Sequence, residues 1–108
     1  MSDDNFGSDT AYAEDTATED MVITVRAWTV VLHNDDITPM DVVTFLLQQV
    51  FHIGIETANT VTMKVHNEGK CAIGTFTRDV AETKASQMVE GALKIGGYPL
   101  RAEAAPVE

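Results

Sequence analysis

The chain has 108 residues, 44% of them hydrophobic, and a formal net charge of −10, which bounds it to one small globular unit with a packed core. Seven acids, Asp3, Asp4, Asp9, Glu14, Asp15, Glu19 and Asp20, fall among the first twenty residues without a Lys or Arg, leaving −3 for everything after them. An acidic chain without clustered cations is a poor binder of phosphate backbones, which excludes nucleic acid as a partner, and the single Cys71 cannot form an internal disulfide, which fits a reducing cytoplasm.

MSDDNFGSDTAYAEDTATED has neither the basic start nor the continuous apolar run of a signal peptide, transit peptide or membrane span. It also has too little to bury to offset its ordering entropy. Residues 1–24 are therefore expected to be a disordered acidic extension, with either a solubilising or a functional role, and residues 25–108 the folded domain. RAWTVVLH, residues 26–33, reads as the first strand, stopped by Asn34-Asp35-Asp36. Thr38 is placed to cap a helix that begins at Pro39, with Asp41 near its positive end. Val43, Leu46, Leu47 and Val50 give that helix a buried stripe, and Gly54 ends it or sits just beyond.

A second helix is predicted over residues 56–68, with Ala58, Val61 and Val65 on one stripe and Gly69 as its stop. KCAIGTFT, residues 70–77, reads as a strand in which Cys71 packs as a small side chain and Gly74 marks a bulge or close backbone approach. Thr77 caps a third helix carrying Ala81, Ala85, Met88 and Ala92 along one side and closing at Gly96-Gly97. Residues 98–104 give a last short strand, and AAPVE is expected to fray. The order β-α-α-β-α-β predicts an α+β fold, a small, mostly antiparallel three-stranded sheet with three helices on one face.

The chemistry-bearing residues gather in HNDDITPM, residues 33–40. Alone, Asn34-Asp35-Asp36 reads as an Asx-type turn between strand and helix. Asp35, Asp36 and His66 are too few ligands for a closed structural zinc, so neither a metal nor another cofactor is expected. No Gly-rich phosphate loop and no nucleophile with an activating base is present, which argues against an enzyme. A small Asp/His metal-dependent hydrolase and a generic protein-interaction domain remain as alternatives.

Three segments together, WTVVLHNDDITPM (28–40), VHNEGKCAIGTFT (65–77) and VAETKA (80–85), resemble the ClpS adaptor family in order and spacing. The resemblance implies a non-enzymatic, monomeric, cytoplasmic adaptor that binds N-degron substrates by their bulky hydrophobic first residue. It would deliver them to a ClpA-type AAA+ unfoldase for degradation by ClpP. By this likeness Asn34, Asp35 and His66 hold the substrate's α-amino group. A free terminus is a cationic triple donor, and a carboxylate, an amide oxygen and a neutral imidazole nitrogen or bridging water are the acceptors it needs. Asp36 is left to order the turn or favour the helix terminus. The resemblance places Thr38, Met40, Val43, Thr62, Val65 and Leu100 around a pocket for the first side chain, with Met40 screening β-branched residues near the entrance. Thr62 stands where an apolar residue, often Met, is familiar, and Ile37 replaces a frequent aromatic; Thr62 widens the pocket, offers a hydroxyl, or bonds back to its own helix. Glu82, Thr83 and Lys84 are implied to dock onto the unfoldase's N-terminal domain, and the acidic extension to serve substrate hand-off.

Overall fold

The computed structural model describes residues 26–108, so the expected acidic extension, residues 1–24, lies outside the described residues. Three strands and three helices follow in the order β1 (Trp28–His33), α1 (Met40–Phe51), α2 (Ile55–Glu68), β2 (Lys70–Phe76), α3 (Arg78–Gly96) and β3 (Arg101–Pro106). β1 is central and pairs antiparallel with β2 on one side and β3 on the other. The α+β fold read from the sequence is the one observed.

Local chemistry sets most element ends. Thr77 caps α3 by accepting from the Val80 N–H, and Gly69 and Gly97 close α2 and α3 in the left-handed region that costs glycine least. Gly74, at φ +73°, lies where β2 gains a residue on β1: Trp28 faces Phe76 but Val30 faces Ile73. A Cβ at Gly74 would come within 2.5 Å of the Phe76 ring, so the bulge needs glycine for space as well as for backbone angle.

Three boundaries differ from expectation. Thr38 does not cap α1. Its N–H and hydroxyl are both taken by the Asp35 carboxylate, and the helix starts one residue late, with Pro39 at the cap position in extended geometry. α1 closes at His52, φ +57°, so Gly54 sits just beyond it, the second of the two places expected for it, and caps α2. The C-terminal segment does not fray: β3 runs to Pro106, opposite Trp28, and the Val107 N–H donates to the Ala27 carbonyl at 2.9 Å. Ala102 and Ala104 turn their small side chains toward the core, and their pairing with β1 outweighs the low strand propensity of an Ala/Glu run. Tyr98, Pro99 and Leu100 precede that strand, because the Tyr98 N–H still bonds the Ala92 carbonyl at the end of α3.

The core fills the space between the helices and the sheet face carrying Val30, Leu32 and Ile73. Leu32, Leu47 and Met88 lie at its centre with Val43, Leu46, Val65 and Leu100 around them, and Val30, Ala81 and Ala85 form a second cluster under α3. Lys84 joins the helices. Its ammonium donates to the Val50 carbonyl at 2.9 Å and stands 5.4 Å and 5.7 Å from the Phe51 and Phe76 ring centroids. The last turn of α1 has no basic residue of its own, and Lys84 supplies the cation its negative end favours.

Candidate functional site

At the helix-proximal end of β1 the chain turns through Asn34–Pro39 before entering α1, and the end of α2 returns beside it. The Asn34 N–H donates to the Gly69 carbonyl at 2.9 Å while the Gly69 N–H closes on Val65, one turn of backbone that brings Asn34 next to the His66 end of α2. Between them opens a cavity of about 260 Å³. Asn34, Asp35 and His66 line it, and so do Thr38, Met40, Val43, Thr62, Val65 and Leu100. Three polar side chains, 32 residues apart in sequence at the extremes, thus share one space with an apolar wall.

Asp35 organises the loop. Its Oδ1 accepts from the Ile37 N–H at 2.9 Å and the Thr38 N–H at 2.7 Å, and its Oδ2 accepts from the Thr38 hydroxyl at 2.9 Å. Burial pushes the carboxyl up, but the two N–H bonds, the Thr38 hydroxyl and the nearby Arg101 outweigh it and hold Asp35 below its ordinary 3.8. A carboxylate offers about four lone-pair positions, so roughly one remains for a ligand. The turn assigned to Asp36 is therefore held by Asp35, since a carboxylate at that position reaches the N–H groups two and three residues ahead; Asp36 is exposed at the rim.

Thr62, 4% exposed, donates its hydroxyl to the Ala58 carbonyl at 2.9 Å and lies 2.8 Å from the Thr44 hydroxyl, itself 8% exposed. With its proton committed to Ala58, Thr62 is the acceptor of the pair and Thr44 the donor. Of the readings open for Thr62, bonding back to its own helix is the one observed, with Thr44 as an unanticipated partner.

Glu82, Thr83 and Lys84 sit on α3, away from the cavity. Glu82 and Thr83 are exposed, Glu82 pairing with Arg78 at 3.2 Å, whereas Lys84 is engaged by Val50. The cavity lining also includes His33, Ile37 and Pro39; His33, which the sequence reading passed over as a strand end, bonds Glu103 at 2.8 Å across the sheet. Nothing local signals that pairing, because it depends on the register of β3. Among the described residues no group of three or more His, Cys, Asp or Glu side chains is placed to hold a metal ion, and no helix is long and apolar enough to cross a membrane.

The family model of the ATP-dependent Clp protease adaptor protein ClpS matches residues 24–103. The ATP-dependent Clp protease adapter protein ClpS of Leptothrix cholodnii is 43% identical over 76 residues, 70% of this chain and 65% of that protein. The Deinococcus radiodurans protein of the same name is 44% identical over 81 residues, 75% and 71% of the two chains, and that of Vibrio cholerae is 56% identical over 59 residues, 55% and 56%. The match thus spans less than two thirds of the Leptothrix and Vibrio proteins. Among solved structures, Agrobacterium tumefaciens ClpS2 bound to L-phenylalaninamide superposes with a TM-score of 0.73 at 34% identity, covering 78% of this chain and all of that one.

Proposed function

Because the chain belongs to the ClpS family of Clp protease adaptors, we propose that it is a non-enzymatic adaptor that captures proteins by a bulky hydrophobic N-terminal residue. The observation that carries this is the single cavity in which Asn34, Asp35 and His66 meet the apolar Val43, Val65 and Leu100. An α-ammonium group brings three donors and a charge. Asp35 supplies the charge and its remaining lone pair, Asn34 an amide oxygen, and His66 a ring nitrogen or the anchor of a bridging water. An internal amide has no charge and one N–H, so it gains little there.

The first side chain then occupies the remaining space, whose volume suits one residue rather than an extended ligand. Met40 stands at the entrance and Thr38 and Thr62 complete the walls. The similarity to a ClpS2 structure that holds L-phenylalaninamide supports a Phe-like first residue. Residues 25–108 form the adaptor domain and residues 1–24 an extension used in hand-off. The partner is the N-terminal domain of a ClpA-type AAA+ unfoldase working with ClpP, met by Glu82, Thr83 and Lys84 on α3. The adaptor acts as a monomer in the cytoplasm.

Peptides differing only at the first residue test the reading. Free Leu, Phe, Tyr or Trp termini should bind without turnover, and N-acetylation should abolish binding. Equal affinity for acetylated and free Phe peptides would reject the amine site.

A further inference from the structure

A second concavity lies on the far side of the cavity wall. α1 presents Met40 and Phe45, and α2 presents Ile55 and Met63, to an open groove of about 440 Å³ between the two helices. These four side chains are 40%, 51%, 52% and 46% exposed. Four large apolar groups facing one another from adjacent helices are a contiguous patch, unlike single exposed apolar residues, which are ordinary. The groove is continuous with the peptide cavity, since Met40 and Thr62 line both.

We infer that this groove is a second subsite for the same peptide, taking an apolar side chain at one of positions two to four. The inference rests on the N-terminus reading above. With the α-amino group fixed at the Asn34–His66 end and the first side chain in the cavity, the rest of the chain must leave across the cavity's lip. Met40 is the exposed part of that lip. An extended peptide advances about 3.3 Å per residue, so three further residues cover about 10 Å, enough to pass a side-chain-wide partition and set an apolar group between Phe45 and Met63. A single-residue ligand ends before it gets there. The cavity would then select the terminus, and the groove would rank substrates that share the same first residue.

The test measures dissociation constants of the full chain for L-phenylalaninamide and for Phe-starting pentapeptides in which one Leu is moved through positions two, three and four of a Gly/Ser background. Leu at one of these positions should tighten binding about tenfold over the all-Gly/Ser peptide, the equivalent of partly burying one leucine. Phe45→Ser and Met63→Ser, both surface changes, should remove that gain and leave phenylalaninamide affinity within about twofold of the parent. No gain at any position, or a gain that survives both substitutions, overturns the subsite. Substitutions that alter only sedimentation, or only affinity for the unfoldase, would give the groove to a second copy or to the unfoldase and overturn it likewise. If the parent binds neither phenylalaninamide nor any Phe peptide, the amine-site reading itself fails, and the groove as its extension fails with it.

Discussion

Asp35 has an observed task in the loop and a proposed one at the substrate amine, and substitution can separate them. Alanine removes both the loop's three hydrogen bonds and the charge, whereas asparagine keeps an oxygen for the Ile37 and Thr38 N–H groups and loses the charge and the second acceptor oxygen, where its NH2 can donate to the Thr38 hydroxyl oxygen instead. Asp35→Ala should weaken a Phe-starting peptide by at least about 1.5 kcal/mol and also lower stability, while Asp35→Asn should weaken the peptide comparably with little loss of stability. Isothermal titration and urea unfolding of the two variants check this. The native carboxyl is held below its ordinary 3.8, so its stabilisation is complete above that value and is lost as pH falls through the lower, folded one. Asp35→Asn should flatten this acid limb when urea midpoints are followed downward from about pH 5. Thr62 is a different case, buried and bonded to Thr44. Thr62→Val keeps the volume but strands the Thr44 hydroxyl, for a loss of about 1–2 kcal/mol in urea unfolding. Thr62→Met should cost similarly and also change the ranking of Leu, Phe, Tyr and Trp peptides, since it reaches the cavity wall without touching an amine ligand.

At the level of elements, Lys84 is the bond between α3 and the end of α1. Lys84→Met retains the packing of the stem but gives up the Val50 carbonyl and both aromatic faces, so chemical denaturation should show a loss of about 1–2 kcal/mol. Glu82→Gln, on the exposed face, should leave the midpoint within about 0.5 kcal/mol. A fall in unfoldase affinity for Glu82→Gln therefore speaks of docking, whereas the same fall for Lys84→Met must first be corrected for stability. This contrast shows what local sequence carries. Thr77, Gly69, Gly74 and Gly97 were readable because a cap, a left-handed stop and a bulge are each decided within a few residues. Thr38 does not cap because Asp35, three residues earlier, draws its N–H and its hydroxyl back into the loop and leaves Pro39 at the cap position. The reach of β3, the His33–Glu103 pair and the Lys84–Val50 bond depend on partners 34 or more residues away, and no window of sequence contains both ends. The candidate site has the same character. Asn34-Asp35-Asp36 alone reads as a turn, and only the family likeness paired it with the distant His66.

For the molecule as a whole, seven of the seventeen acids and no Lys or Arg lie in residues 1–20, while the cavity, groove and α3 face all belong to the described residues. Deleting residues 1–20 should leave Phe-peptide affinity unchanged and impair degradation of a Phe-starting substrate by the reconstituted unfoldase and peptidase. A solubility role predicts instead normal degradation with poorer colloidal behaviour. The topology adds a mechanical asymmetry. The chain enters the domain at the Trp28 end of β1, whereas the cavity sits past its His33 end, so a strand of six residues separates tail from site. β1 is also the only strand of the described sheet paired on both sides. Tension applied to the tail along the β1 axis loads two hydrogen-bonded ladders in shear, and their bonds must yield together. The same tension on the C-terminus meets β3, an edge strand with a single ladder that can be peeled from Val107 inward. A motor that gripped the amino end, as the proposed hand-off requires, would therefore pull on the doubly paired strand, with the cavity at that strand's opposite end.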